Sequence, residues 1–305
     1  MMKSPASSAV LVVGSYNTGL VTVGSRIPAV GETVVHDRFV QMHGGKGSNQ
    51  AVAAARLGAP VRMIARVGDD AFGAQALALY DREGIDRRGV AVVVGEHTGV
   101  GVVLVDSQGR NAITVVAGAN GRLDPAAIAG HAALFDGCAV LVVQLETPVE
   151  TVQAAVDFAR QRGMIVIFNP APARVIEDCL LAACDLVTPN ETEAESLTGI
   201  RISGVEAAMA AGADLRRRGA KRAIITMAER GSVLVDETGG WHHPAPMVQA
   251  VDTTGAGDAY NGALAAALAR GDDLRLAVRF ATRVAAWKVQ YPGAIEGLPR
   301  ADQLS

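Results

Sequence analysis

Short apolar runs interleaved with longer stretches of helical periodicity constrain the fold of this chain more than any other feature. Residues 10–13, 61–67, 139–143, 165–168, 186–188 and 223–226 are β-like, and residues 46–57, 71–83, 124–135, 148–162, 190–198 and 203–218 carry helical patterns. Strand-helix alternation of this kind specifies an α/β fold, a central mostly parallel sheet flanked by helices on both faces. At 305 residues, half of them hydrophobic, the chain can bury the core such a sheet needs.

Two stretches break the alternation. Residues 20–40 and 90–116 read as strands and turns without helices, and 98–106, 107–110 and 111–116 form a hairpin pattern. Strands not interleaved with helices cannot easily join a parallel sheet. They are expected to form a small β-sheet lid, contributed by about 16–42 and 90–118, that closes over a ligand. After Gly255 two helices are expected, about 256–270 and 273–290, with Gly271 stopping the first and an Asp capping the second. Without a repeat, low-complexity tract or Pro-rich linker, residues 1–305 read as one domain.

Lys and Arg number 28 against 31 Asp and Glu, a net charge of −3 with no long run of one sign, so neither nucleic acid nor membrane is an expected partner. The polar start and the brevity of the apolar run at 9–13 argue against a signal core, and a cytoplasmic location is expected. Cys138, Cys179 and Cys184 lack Cys-x-x-Cys spacing, and the six histidines show no metal-ligand pattern. Cys138 and Cys184 read as buried thiols, and His242-His243 as part of a strand or loop.

The segment Ala250-Val-Asp-Thr-Thr-Gly-Ala-Gly-Asp-Ala-Tyr-Asn-Gly262 places one acid before a glycine turn and another inside it, directly ahead of an alanine-rich run. A helix start rich in free N–H groups attracts phosphate, and an acid there can accept a proton from an attacking hydroxyl. An ordinary turn with an N-capped helix has the same signature. In Gly44-Gly45-Lys46-Gly47-Ser48-Asn49-Gln50 the glycines allow close approach to the backbone, while Lys46 and Asn49 offer donors to hydroxyl groups. The spacing is not that of a Walker A loop, and a solvated turn is the alternative. At the end of a strand, Thr188-Pro189-Asn190-Glu191-Thr192-Glu193 sets Asn190 and Glu193 on one side of a starting helix, suited to organising Mg²⁺-bound water or, more plainly, to capping. Gly14 to Asn17, Gln144 to Glu146 and Thr226 to Gly231 also fall at strand ends, where ligands of parallel sheets gather.

In their order and spacing these motifs, together with Asn169-Pro170-Ala171-Pro172-Ala173, resemble the ribokinase family of carbohydrate kinases over nearly the whole chain. The resemblance implies transfer of the ATP γ-phosphoryl group to a primary sugar hydroxyl, with Mg²⁺ bridging phosphates. It makes Asp258 the general base and the amides of Gly255, Ala256 and Gly257 an anion hole. It assigns the sugar to Asn17, Gly45, Lys46, Asn49, Glu146 and Asp258, the phosphate and metal side to Asn190 and Glu193, and the nucleotide loop to Thr226 and Gly231. Asp252, the backbone of Thr254 and the 291–297 loop, with Gly293 and Gly297, would surround an activating K⁺ or other monovalent cation. Lids of the family commonly pair two subunits, so Val21, Val23 and Val102 suggest a homodimer. Three positions depart from the family pattern. Gly19 replaces a sugar-binding Asp, Gly297 replaces a serine of the cation loop, and Ala228 replaces a glycine of the nucleotide loop. D-ribose is the leading substrate, with another sugar (a deoxypentose or hexose) or a nucleoside as alternatives. A hydride-transfer enzyme is disfavoured because Gly-x-Gly-x-x-Gly is missing after the first strand, whereas a non-catalytic sugar-binding protein stays open.

Overall fold

A computed structural model describes residues 9–304; the polar start and Ser305 lie outside the described residues. The chain begins with β1 (Ala9–Val13), leaves the main sheet for β2 (Asn17–Val23) and β3 (Arg38–Gly44), and returns through α1 (Lys46–Arg56) to β4 (Val61–Gly68), α2 (Ala71–Arg82) and β5 (Asp86–Val93). A second excursion gives β6 (Gly99–Val105) and β7 (Asn111–Val116), followed by α3 (Pro125–Gly130), β8 (Cys138–Val143), α4 (Val149–Gln161) and β9 (Ile165–Phe168). Next come α5 (Asp178–Ala183), β10 (Leu186–Val187), α6 (Glu191–Thr198), α7 (Val205–Arg217), β11 (Ala223–Thr226), β12 (Ser232–Asp236) and β13 (Gly239–His243). Two long helices, α8 (Ala256–Ala269) and α9 (Leu274–Lys288), complete the succession.

Nine strands form the main sheet in the order β13-β12-β11-β10-β9-β8-β1-β4-β5, parallel except where β12 and β13 turn back. Strand β1 is buried along its whole length because the sheet is covered on both sides. Val10 and Val12 join one core cluster with α1, α8 and α9, while Ala9, Leu11 and Val13 join the other with α4 and α7. The chain adds β4 and β5 on one flank of β1 and β8 onwards on the other. The sheet therefore has its topological switch point between β1 and β8, where the loops after their carboxyl ends part and leave a crevice. Among the described residues no helix is long and apolar enough to cross a membrane.

The strands expected to form a lid make a separate four-stranded sheet, β3-β2-β6-β7, in which β2 runs parallel to β6. Its boundary differs from the sequence reading. Residues 90–93, expected in the lid, pair with β4 as the end of β5, a main-sheet edge strand whose charged start, Asp86-Arg87-Arg88, hid it from a search for apolar runs. The register Leu20↔Val102 and Val21↔Val103 puts Val21 and Val23 on the opposite lid face from Val102, so these valines do not form one patch. The helix expected over 124–135 stops at Gly130, and Ala132–Leu134 is a separate tight turn. Gly130 has low helical propensity, and the His131 amide bonds Ile128 O at i−3 rather than continuing the helix. His242-His243, read as strand or loop, end β13, but the sequence reading missed β12, joined to it by the turn at Asp236–Gly239, and the short α5.

Candidate active site

The loops after β1 and β8 meet at the switch point. Glu146 sends one oxygen, Oε2, to three donors, accepting from Ser15 Oγ (2.5 Å), the Lys46 amide (2.8 Å) and Asn17 Nδ2 (3.4 Å). Asn17 is fixed from its other end, its Oδ1 accepting from Asn120 Nδ2 at 2.8 Å. The turn into α1 is held against this loop by a glycine with no substitute: Gly45 has φ of 91°, and a Cβ there would lie 2.7 Å from the Asn17 amide nitrogen. That contact starts α1 at Lys46 and puts the helix's first two turns inside the molecule, with Gly47 to Ala54 buried.

Asp258 comes from the opposite direction, on the first turn of α8. Gly255 provides the left-handed cap, with φ of 77° and ψ of 7°, and Asp258 follows three residues later, buried. Its carboxylate accepts from Asn49 Nδ2 at 2.7 Å and from Gln50 Nε2 at 2.9 Å. Two amide side chains of one helix thus clamp both oxygens of an acid on another. The clamp continues outward, because Gln50 Nε2 also reaches Asn169 Oδ1 and Gln50 Oε1 accepts from Gln144 Nε2 at 2.6 Å. From Asn169 the bonds run to Thr188 O, and from the Thr188 hydroxyl to Asn261 of α8. A buried network of this kind fixes side-chain orientation more than it adds net stability. Asn49 Oδ1 is buried without a partner, an acceptor left over for a ligand hydroxyl.

A cavity of about 120 Å³ opens in front of α8, lined by Lys46, Asn169, Thr188, Asn190, Glu193, Thr226, Thr253, Gly255, Ala256, Gly257, Asp258 and Asn261. Among the described residues no carbonyl accepts from the Gly257 or Asp258 amides, and the position a Gly257 Cβ would take is open space. The Ala256 amide, expected in the anion hole, instead donates to Thr253 O at 3.1 Å. Free N–H groups at a helix start favour negative charge in front of them. Lys46 faces the same space. Burial acts to lower its pKa, but Asp258, Glu146 and Glu193 together hold it above the ordinary lysine value, as a cation.

Asn190 and Glu193 form a reciprocal capping box, Glu193 N to Asn190 Oδ1 at 2.8 Å and Asn190 N to Glu193 Oε2 at 2.9 Å. Capping and cavity lining coincide here. Burial pushes the Glu193 pKa up against the opposing pull of the Asn190 amide and Lys46. Thr226 lines the cavity too, whereas Gly231 lies outside the lining and packs under His243, whose carbonyl a Cβ would meet at 2.0 Å.

The residues expected around a monovalent cation also converge, with one addition. Asp252 Oδ1 accepts from the Thr254 amide at 2.9 Å and Oδ2 from the Gly293 amide at 2.8 Å, tying the 252–255 turn to the loop after α9. Burial opposes its ionisation, but these amides and the Lys288 charge hold its pKa below the ordinary carboxylate value. The Asp252 carbonyl accepts from Lys288 Nζ at 2.8 Å. Sequence reading missed Lys288, Gln50 and Ser15. For Lys288 a signal existed: it continues the buried stripe Ala277, Ala281, Val284 of α9 at helical spacing, where a solvated lysine does not belong.

Comparison with known proteins identifies the family and the fold. The sequence pattern of the pfkB family carbohydrate kinases matches residues 7–301. The chain is 36% identical over 288 residues to a ribokinase of Haemophilus influenzae, covering 94% of each. It is equally 36% identical over 297 residues to a deoxyribokinase of Salmonella typhimurium, covering 97% of each. Its fold superposes on an Arabidopsis thaliana ribokinase complexed with ribose and ATP with a TM-score of 0.90 at 31% identity, covering 97% of this chain and 96% of that one.

Proposed function

Since the chain belongs to the pfkB family of carbohydrate kinases and is a ribokinase-type sugar kinase, we propose that it phosphorylates the primary hydroxyl of a pentose, with Asp258 as general base. One observation carries this reading. The Asp258 carboxylate, clamped by Asn49 and Gln50, stands on the same helix turn as the unclaimed Gly257 and Asp258 amides, in one cavity with Lys46.

In the proposed reaction the sugar lies over Asn17, Gly45, Lys46, Asn49 and Glu146 with its primary hydroxyl against Asp258. Asp258 takes the hydroxyl proton as the oxygen attacks the γ-phosphorus, and the bond to the β-bridging oxygen breaks to release ADP. Charge developing on the transferred group meets the turn at Gly255, Ala256 and Gly257 and the Lys46 ammonium. These donors are already fixed and need no reorganisation. Because the Ala256 amide is engaged with Thr253, the amides of Gly257 and Asp258 carry most of this contact. Mg²⁺, arriving with the nucleotide, would neutralise phosphate charge. Glu193 suits it through water, since the cap takes only one of its two oxygens, while Asn190 commits its single oxygen to the cap and holds Glu193 in place. Thr226 borders the nucleotide, and Gly231 shapes its loop from behind. The lid closes over the sugar, and two lids pair in a homodimer.

D-ribose is the first candidate. Position 19 favours a second, 2-deoxy-D-ribose. Met42 lies across Gly19 from the neighbouring strand, its Cγ 2.9 Å from where a Cβ would stand, and Gly101 on the other side faces open space. The wall beside Asn17 is therefore apolar, and a hydroxyl buried against it loses hydrogen bonds that a methylene does not need.

A coupled ADP-release assay with D-ribose, 2-deoxy-D-ribose, hexoses and nucleosides tests both readings. Pentose-dependent ADP release is expected, falling by roughly 10²–10⁴ in kcat for Asp258→Asn with sugar affinity retained. Near-normal turnover of that variant removes the base assignment, and a ribose preference of tenfold or more over deoxyribose, on the order of 1.4 kcal/mol, removes the second reading.

A further inference from the structure

Lys288 is the last residue of α9 and has no solvent exposure at all. A buried lysine is costly unless its charge is used. Among the described residues it joins no ion pair, and its ammonium donates to the carbonyl of Asp252, the residue that begins the phosphate-facing turn. Burial leaves its pKa below the ordinary lysine value, although the charges of Asp252, Asp258 and Glu296 pull it back up.

The loop after α9 is shaped around this side chain. A Cβ at Gly297 would stand 3.1 Å from Lys288 Cε, 2.8 Å from the Gly293 carbonyl oxygen and 2.9 Å from that of Tyr291. No side chain fits at 297, because the end of the lysine and two carbonyls already border that point. Asp252 is already engaged on every oxygen, one carboxylate oxygen holding the Thr254 amide, the other the Gly293 amide and the carbonyl Nζ, so a metal ion here would have to share these oxygens with a charged ammonium that repels it. The residues here do not fit a bound K⁺.

We propose that the Lys288 ammonium is the permanent cation beneath the phosphate-facing turn of this kinase, and that phosphoryl transfer accordingly needs no monovalent metal ion. A cation on the Asp252 carbonyl polarises the peptide entering the 253–257 turn and fixes the turn between α9 and α8. Lys288 touches no reacting atom and acts as a positioning residue for the amides of Gly257 and Asp258. Covalent attachment makes the charge independent of salt composition. The inference concerns the site that the sugar-kinase reading uses, but one part of its test does not depend on that reading.

Rates and melting temperatures of the wild type, Lys288→Ala and Lys288→Met are compared in KCl and in tetramethylammonium chloride at equal ionic strength. Equal wild-type rates in the two salts are expected. Lys288→Ala, which vacates the position, is expected to lose tenfold or more in kcat in tetramethylammonium at unchanged sugar KM, and to regain most of it in K⁺. Lys288→Met fills the space without charge and is expected to lose kcat in both salts. Without any substrate, K⁺ should raise the melting temperature of Lys288→Ala and leave the wild type unmoved, a result that stands even if the sugar assignment fails. Severalfold activation of the wild type by K⁺ overturns the proposal. So does full turnover of either variant in tetramethylammonium, or a folded Lys288→Ala that is slow in both salts and shows no K⁺-specific stabilisation.

Discussion

Ala228 is the residue where local strain can be weighed most directly. Its φ of 47° is left-handed, and among the described residues no other non-glycine has a positive φ. The conformation is imposed by the turn at the end of β11, in which the Met227 amide donates to Gly231 O at 2.7 Å and the Gly231 amide to Ala228 O at 3.1 Å. A left-handed alanine costs about 1–2 kcal/mol, whereas glycine gives back only about 0.5–1 kcal/mol through the entropy of the unfolded chain. Strain is the larger quantity, so Ala228→Gly is expected to stabilise by roughly 0–1.5 kcal/mol, a rise of up to about 4 °C in melting temperature measured by calorimetry. A fall in melting temperature contradicts this account. The departure at 228 was visible in the sequence, but its sign was not, because a φ angle belongs to the turn and not to the residue type. Asp258 and Asn49 were legible for the opposite reason: a short acid and a short amide beside glycines have few structural uses. Gln50 was hidden because long polar side chains on helices are usually solvated and only tertiary packing turns this one inward, whereas Lys288 was readable from its helical spacing with Ala277, Ala281 and Val284.

At the scale of elements, catalytic alignment reduces to how closely α1 approaches α8. Every residue of α8 from Asp258 to Ala269 is buried, and alanines and glycines fill most of those positions, letting the two backbones come near. Gly262 marks the tightest point. A Cβ there would lie 2.4 Å from Ala53 Cβ and 2.7 Å from Gln50 O, the carbonyl of the residue whose side chain clamps Asp258. Gly262→Ala gains about 1 kcal/mol of helix propensity but meets an overpacking cost of about 1–3 kcal/mol. Net destabilisation of roughly 0–2 kcal/mol is expected, together with a larger loss of kcat than of stability, because separating the helices by a few tenths of an ångström loosens the Asn49 and Gln50 bonds to Asp258. Ala53→Gly in the same chain should restore turnover only in part, because the contact with the Gln50 carbonyl remains. A Gly262→Ala enzyme with wild-type kcat argues against this coupling. The parallel strands and their helices were readable because uninterrupted apolar runs report burial on both faces. Strand β5 opens with charges and α5 has six residues, and elements of that sort take their form from neighbours rather than from their own pattern.

For the molecule as a whole, the open question is what covers the lid. Alternation along β2 puts Asn17, Gly19 and Val21 on one face, and the registers Val21↔Val103 and Val103↔Ile113 extend that face across the sheet, with Val115 beside Gly101. The lid face that meets the sugar site near Asn17 thus becomes a strip of aliphatic side chains farther out, where Ile113 is 59% and Val115 54% exposed. Contiguous apolar surface of this kind marks an interaction site, and the outer strip, beyond the part of the face near Asn17, has a second lid as its natural complement. The sequence suggested pairing through Val21, Val23 and Val102, but strand register, which no single strand encodes, assigns the strip to Val21, Val103, Ile113 and Val115. Sedimentation at tens of micromolar is expected to give a dimer, and Ile113→Asp with Val115→Asp a folded monomer. In the proposed dimer the paired strip continues the face over the sugar, so the monomer's lid loses its support and its sugar KM is expected to rise severalfold, with kcat at saturation much less affected. A wild-type monomer under these conditions, or a dimer that survives both aspartates, would put the strip to another use. Unchanged KM in a true monomer would instead mean that the lid closes on its own, driven by the sugar contacts alone.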